Sequence, residues 1–119
     1  MKKVEIVCAG ILVLGAIGHS IGSYYFYKTV PLTLLWALGS SLALLLLACI
    51  NFLRIYRPGD RALAWICFFG NVAWVAACFA FARLIGNPFD VRPDLQGVAA
   101  LLLAVFSIRS GFASRPVQA

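Results

Sequence analysis

Apolar residues fall in four long stretches, at about 4–25, 32–53, 62–84 and 93–112, each bounded by charged or turn-forming residues. A helix rises 1.5 Å per residue, so roughly 20 residues cross a hydrocarbon core of about 30 Å. The first three stretches meet this length outright. The continuous apolar run of the fourth is only Leu95 to Ile108. It reaches the required length when Pro93 and Asp94 form its first turn and Arg109 snorkels, which lets Ser110 to Phe112 extend it. The links at 27–31, 54–61 and 85–92 are short, and short links make successive helices antiparallel neighbours. The pattern predicts one all-α domain over 1–119, a four-helix up-down transmembrane bundle. In the middle link, Arg57-Pro58-Gly59-Asp60 reads as a turn in which Pro58 presets φ and Gly59 takes the left-handed position.

Composition fixes the solvent. The chain is 63% apolar and 12% charged, with a mean hydropathy of +0.96, whereas a soluble domain carries about 45–50% apolar and about 25% charged residues. This excludes an ordinary soluble enzyme, a disordered chain and a secreted disulfide scaffold, and leaves a multi-pass protein whose first partner is the lipid bilayer.

Charge sets the orientation. Lys2, Lys3, Arg54, Arg57, Arg61, Arg109 and Arg115 share one side of the predicted bundle, against Lys28, Arg83 and Arg92 on the other. Seven against three places both termini in the cytoplasm and the chain in the inner (plasma) membrane. Subtracting Glu5 and Asp60 leaves +5 inside, and subtracting Asp90 and Asp94 leaves +1 outside. The formal +6 is thus topology and attraction to anionic headgroups, and nucleic acid is not an expected partner. The first stretch is longer than a signal-peptide core and has no clean small-x-small site before a polar start, so it reads as a retained helix. Tyr24, Tyr25, Tyr27, Trp36, Tyr56 and Trp65 sit at interfacial depths, where amphipathic rings anchor. Trp74 falls near mid-span.

Polar side chains within the spans are where function is sought. The candidates are His19, Ser40, Ser41, Asn71 and Ser107, and no Asp or Glu lies in a span interior. Gly15, Gly18 and Gly22 recur at three and four residues. They form a small-residue stripe that predicts close approach of a neighbouring helix, with His19 and Ser23 on an adjacent face. Counted at 1.5 Å per residue, His19 lies about 22 Å from the cytoplasmic boundary. Trp36, Ser40 and Cys78 reach a comparable depth on their own helices, so an outward-opening cavity lined by His19, Ser23, Trp36, Ser40 and Cys78 is predicted. Cys67, Asn71, Trp74 and Cys78 share one face of the third helix, and Asn71 is expected to bond across to Ser40 or Ser41. Cys8, Cys49, Cys67 and Cys78 contain no C-x-x-C pair. They read as small apolar packing residues; the alternative is a soft-metal site from Cys8, Cys49 and Cys67, which lie at similar depths. No metal or cofactor is expected.

The Gly18-His19-Ser20 element, followed by a Gly and an aromatic-rich helix exit, resembles small uncharacterised four-helix bacterial membrane proteins that carry a Gly/His-Ser element in the first helix. The resemblance covers that element alone and implies a fold, not an activity. Where that group has an acidic residue soon after the Gly this chain has Ser23, and it has no second-helix His. Small multidrug exporters share the length and span number but place a Glu in the first helix, where this chain has His19.

Three functions remain. The first is a structural or accessory protein that assembles with a larger membrane partner or its own copies. The second is a small transporter working as an oligomer around His19. The third is a cofactor-binding membrane enzyme, in which two chains each give one histidine to a haem. Scarce embedded charge favours the first and weighs against an enzyme.

Overall fold

The computed structural model describes residues 1–113, and every described element is a helix: α1 (Lys2–Tyr27), α2 (Pro31–Tyr56), α3 (Arg61–Leu84) and α4 (Val91–Phe112). All four are long and apolar enough to cross a membrane. In a bilayer a helix satisfies its own backbone polar groups, and the local sequence closes the ends. Pro31 occupies the first turn of α2, where no N–H partner is needed. Asp60 caps α3 by accepting from the Leu63 N–H at 2.9 Å, and Asp90 caps α4 by accepting from the Arg92 N–H at 2.9 Å.

The 57–60 link turns as expected, with the Asp60 N–H donating to the Arg57 carbonyl at 3.1 Å. Gly59 does not take the left-handed conformation, however. The single residue with positive φ among those described is Gly86, at 69°, directly after the last turn of α3. Gly86 needs that freedom to end the helix; Gly59 does not. Arg115, one of the seven cations assigned to the cytoplasmic side, lies outside the described residues.

The helices pack as an up-down bundle of two hairpins. The most extensive interface joins α3 to α4 and the next joins α1 to α2; α1–α4 is smaller, and α2–α3 is the thinnest of the four. The interior combines a few leucines, Leu12, Leu44 and Leu103, with many small and polar residues, including Ala9, Ala48, Ala64, Ala100, Ser107, Asn51 and Asn71, while Leu14, Phe26, Leu35, Phe69 and Phe79 point outward. In water this arrangement would forfeit about 25 cal/mol for each Å² of apolar surface left wet. With lipid outside, the large side chains lose nothing there, and small ones let the helices approach closely. The inside-out distribution is what a bilayer selects.

Candidate functional site

Two polar regions occupy opposite ends of the bundle. The first lies near the start of α1 and the ends of α2 and α4. Arg54 of α2 is buried, with its side chain 3% exposed, and its Nη2 donates to Glu5 Oε2 of α1 at 2.6 Å, where the Glu5 side chain is 14% exposed. Its Nη1 reaches Ser110 Oγ of α4 at 3.3 Å, and Nε has no partner. A turn deeper, Asn51 of α2 and Asn71 of α3 exchange two amide hydrogen bonds, at 3.2 and 3.0 Å. Each also donates to its own helix, to the Leu47 and Cys67 carbonyls. The Cys67 thiol donates to the Ile50 carbonyl at 3.5 Å, and Arg61 Nε to the Gly111 carbonyl at 3.0 Å. All four helices are tied together at this end.

The other end is open. A cavity of about 240 Å³ lies among all four helices, walled by His19 of α1, Ser40 and Leu44 of α2, Trp74, Cys78 and Phe81 of α3, and Arg92 and Gln96 of α4. Arg92 forks onto Asp90 through Nε at 3.0 Å and Nη2 at 2.5 Å. The hydrogen bonds and charge of Arg92 hold the Asp90 carboxyl down to about 2, so the pair stays ionised from neutral pH to strong acid. Asp94 adds a second carboxylate in the first turn of α4. The rim therefore has no surplus of positive charge.

Of the residues predicted to line an outward-opening cavity, His19, Ser40 and Cys78 do so. Ser23 and Trp36 do not: Ser23 is buried elsewhere in the packing of α1, and Trp36 is 73% exposed on the outer surface of α2. The apolar face of α2 runs all round the helix, so depth could be counted but rotation could not. Asn71 is buried and paired, but with Asn51. Ser40 and Ser41 instead donate back to the Trp36 and Ala37 carbonyls of their own helix.

The glycine stripe is corrected in two of its three positions. A Cβ on Gly15 would lie 2.6 Å from Gln96 Nε2, so α4 does approach there, whereas at Gly18 and Gly22 nothing lies within 4 Å. The seam closes at Gly15 and has no neighbour at Gly18 or Gly22. The cysteines do not converge: Cys8 and Cys67 are buried, Cys49 faces outward, and no three His, Cys, Asp or Glu side chains gather among the described residues. Arg54, Asn51, Arg92 and Gln96 were not singled out from sequence. Gln96 carries an available signal, an amide in the second turn of a membrane helix.

His19 is exposed within the chain and makes no hydrogen bond to another described residue. It is not the interhelical tie that a buried imidazole would be. His19→Leu is therefore expected to shift the unfolding free energy in detergent by less than about 0.5 kcal/mol, as for any surface substitution that removes no contact. A loss several times larger in thermal unfolding would show that the imidazole holds the bundle.

Comparison with protein-family models, curated proteins and solved structures yields no match, so the functional reading rests on these side chains.

Proposed function

We propose that the chain is a multi-pass protein of the inner (plasma) membrane, with the start of α1 and the end of α4 in the cytoplasm, that serves as an accessory or assembly subunit of a membrane complex. One observation carries this reading. The half of the bundle below the cavity is filled by fully buried Leu12, Leu103, Asn51 and Asn71, and its buried carboxylate and guanidinium are committed to each other in the Glu5–Arg54 pair. Among the described residues a single chain thus offers neither a path across the membrane nor a free carboxylate or histidine in that half of the core, and its contribution passes through what it binds. The seven-to-three division of basic residues supports the orientation.

The α1 surface at Gly18 and Gly22 supports docking of a transmembrane helix of the larger partner. The two glycines are one turn apart with nothing above them, flanked by outward-facing Ile17 and Ile21. Close backbone approach at such a pair is a recurrent basis of helix association in lipid. The test separates association from folding. An added Cβ at Gly18 or Gly22 meets no described atom within 4 Å, so Gly18→Ile with Gly22→Ile should change the chain's own unfolding by less than about 0.5 kcal/mol. Recovery of the partner in mild-detergent purification should fall about tenfold. Unchanged recovery would reject the docking face, and loss of a second copy alone would reassign it to self-association.

A further inference from the structure

We infer that the cavity at the outer end of the bundle binds an uncharged, ring-headed amphiphile with carbonyl acceptors, the chemistry of a lipid-soluble quinone headgroup. This site is separate from the Gly18–Gly22 face and stands or falls independently of it.

Size comes first. A dry cavity of about 150 Å³ accepts benzene, and this one, at about 240 Å³, has room for a six-membered ring with substituents. The wall chemistry then selects the head. Leu44, Trp74, Ala77 and Phe81 supply an apolar and aromatic lining, suited to the face of a flat ring. His19 and Gln96 face the same space, and neither hydrogen bonds to another described residue. Each offers an N–H to a ring carbonyl, and a bound acceptor would give both the partner they lack. Ser40 already donates to the Trp36 carbonyl at 3.2 Å, so it contributes lone pairs only.

Charge excludes the neighbouring ligand classes. No carboxylate lines the wall itself, and Asp94 lies outside it, exposed in the first turn of α4, so a cation held within the cavity would have no counter-ion in direct contact. Arg92 is the single permanently charged side chain in it, and its guanidinium is already forked onto Asp90. A phosphate or carboxylate head would have to compete with a carboxylate held in bidentate geometry, with Asp94 close by. A neutral acceptor meets no such competition. Because His19 and Ser40 are exposed at the mouth, a ligand tail has a way out into the lipid.

The cavity carries its own reporter. In the full chain bearing Trp36→Phe and Trp65→Phe, Trp74 is the remaining indole, and quinones quench indole emission at short range. Titration with decylubiquinone in detergent micelles should give saturable quenching, set against tryptophan octyl ester in the same micelles as the partition-only control. Ala77→Phe, which fills the cavity, should abolish saturation. Gln96→Leu, which keeps the volume but removes the donor, should weaken binding about tenfold. Decanol should compete no worse than dodecyl phosphate. Quenching that matches the micelle control, or that survives both substitutions in helical protein, would overturn the site. Displacement by dodecyl phosphate at lower concentration than by decanol would overturn the neutral-head assignment. Neither readout involves partner recovery, so it cannot be confused with failure of the docking face.

Discussion

Glu5→Leu is expected to lower the stability of the bundle by about 3–5 kcal/mol, the usual cost of removing one partner from a buried ion pair. The substitution leaves the Arg54 guanidinium, 3% exposed, with one hydrogen bond to Ser110 and an Nε that already has none. Arginine cannot shed its proton to escape. The reverse substitution should be milder. Arg54→Leu strands a carboxylate that is 14% exposed and can take up a proton, so its cost should be about 1–3 kcal/mol, that of an unsatisfied neutral group. Glu5→Leu with Arg54→Leu removes both charges and should recover most of the loss. Thermal or denaturant unfolding of the three variants in mixed micelles measures this. Equal and additive single losses would show that the pair is solvated and contributes little.

The helices were legible in the sequence because length and hydropathy alone specify them in a bilayer, and the up-down arrangement followed from links too short to do anything else. Partner choice was less legible, and Asn71 shows why. It lies ten residues into α3, while Asn51 and Ser41 lie five and fifteen residues from the facing end of α2. Depth counting puts them equally far away on either side, so tilt and rotation decide, and these arise from packing that no single helix encodes. Arg54 was hidden for a different reason. The apolar run stops at Leu53, which makes Arg54 look like the first link residue, but α2 continues to Tyr56 and turns the guanidinium inward toward Glu5. In the glycine stripe, periodicity puts three glycines at helical spacing but does not say which of them a neighbour meets. Only the Gly15 level meets α4, while Gly18 and Gly22 have no neighbour and do not line the cavity.

Arg54 and Asn51 also explain how so apolar a chain holds one arrangement. Large apolar side chains gain nothing by choosing a helix neighbour over a lipid tail, so register must come from close packing and from polar groups that each need a particular partner. The two strong helix pairs, α3–α4 and α1–α2, have small residues for the first purpose. The α2–α3 interface is thin, and it depends on the second.

Asn51→Leu is accordingly expected to cost about 1–3 kcal/mol and to act locally. The substitution breaks both amide bonds across the α2–α3 seam and leaves the Asn71 carbonyl oxygen without its donor, although the Asn71 amide still reaches the Cys67 carbonyl at 2.8 Å. Asn51→Leu with Asn71→Leu should restore part of the loss. The coupling energy in that cycle should lie near the upper end of membrane values, about 1.7 kcal/mol, because two reciprocal bonds are lost together. Cys67 reports where the bundle opens. Its thiol is fully buried one turn from Asn71 and bonded to the Ile50 carbonyl across the same seam. In Asn51→Leu its alkylation rate should rise about tenfold, as local opening becomes cheaper by about 1.4 kcal/mol. Cys78, on the cavity wall at the other end of α3, should react at its original rate. If Cys67 stays protected while stability falls, the seam is held by apolar packing and the asparagine pair merely occupies it.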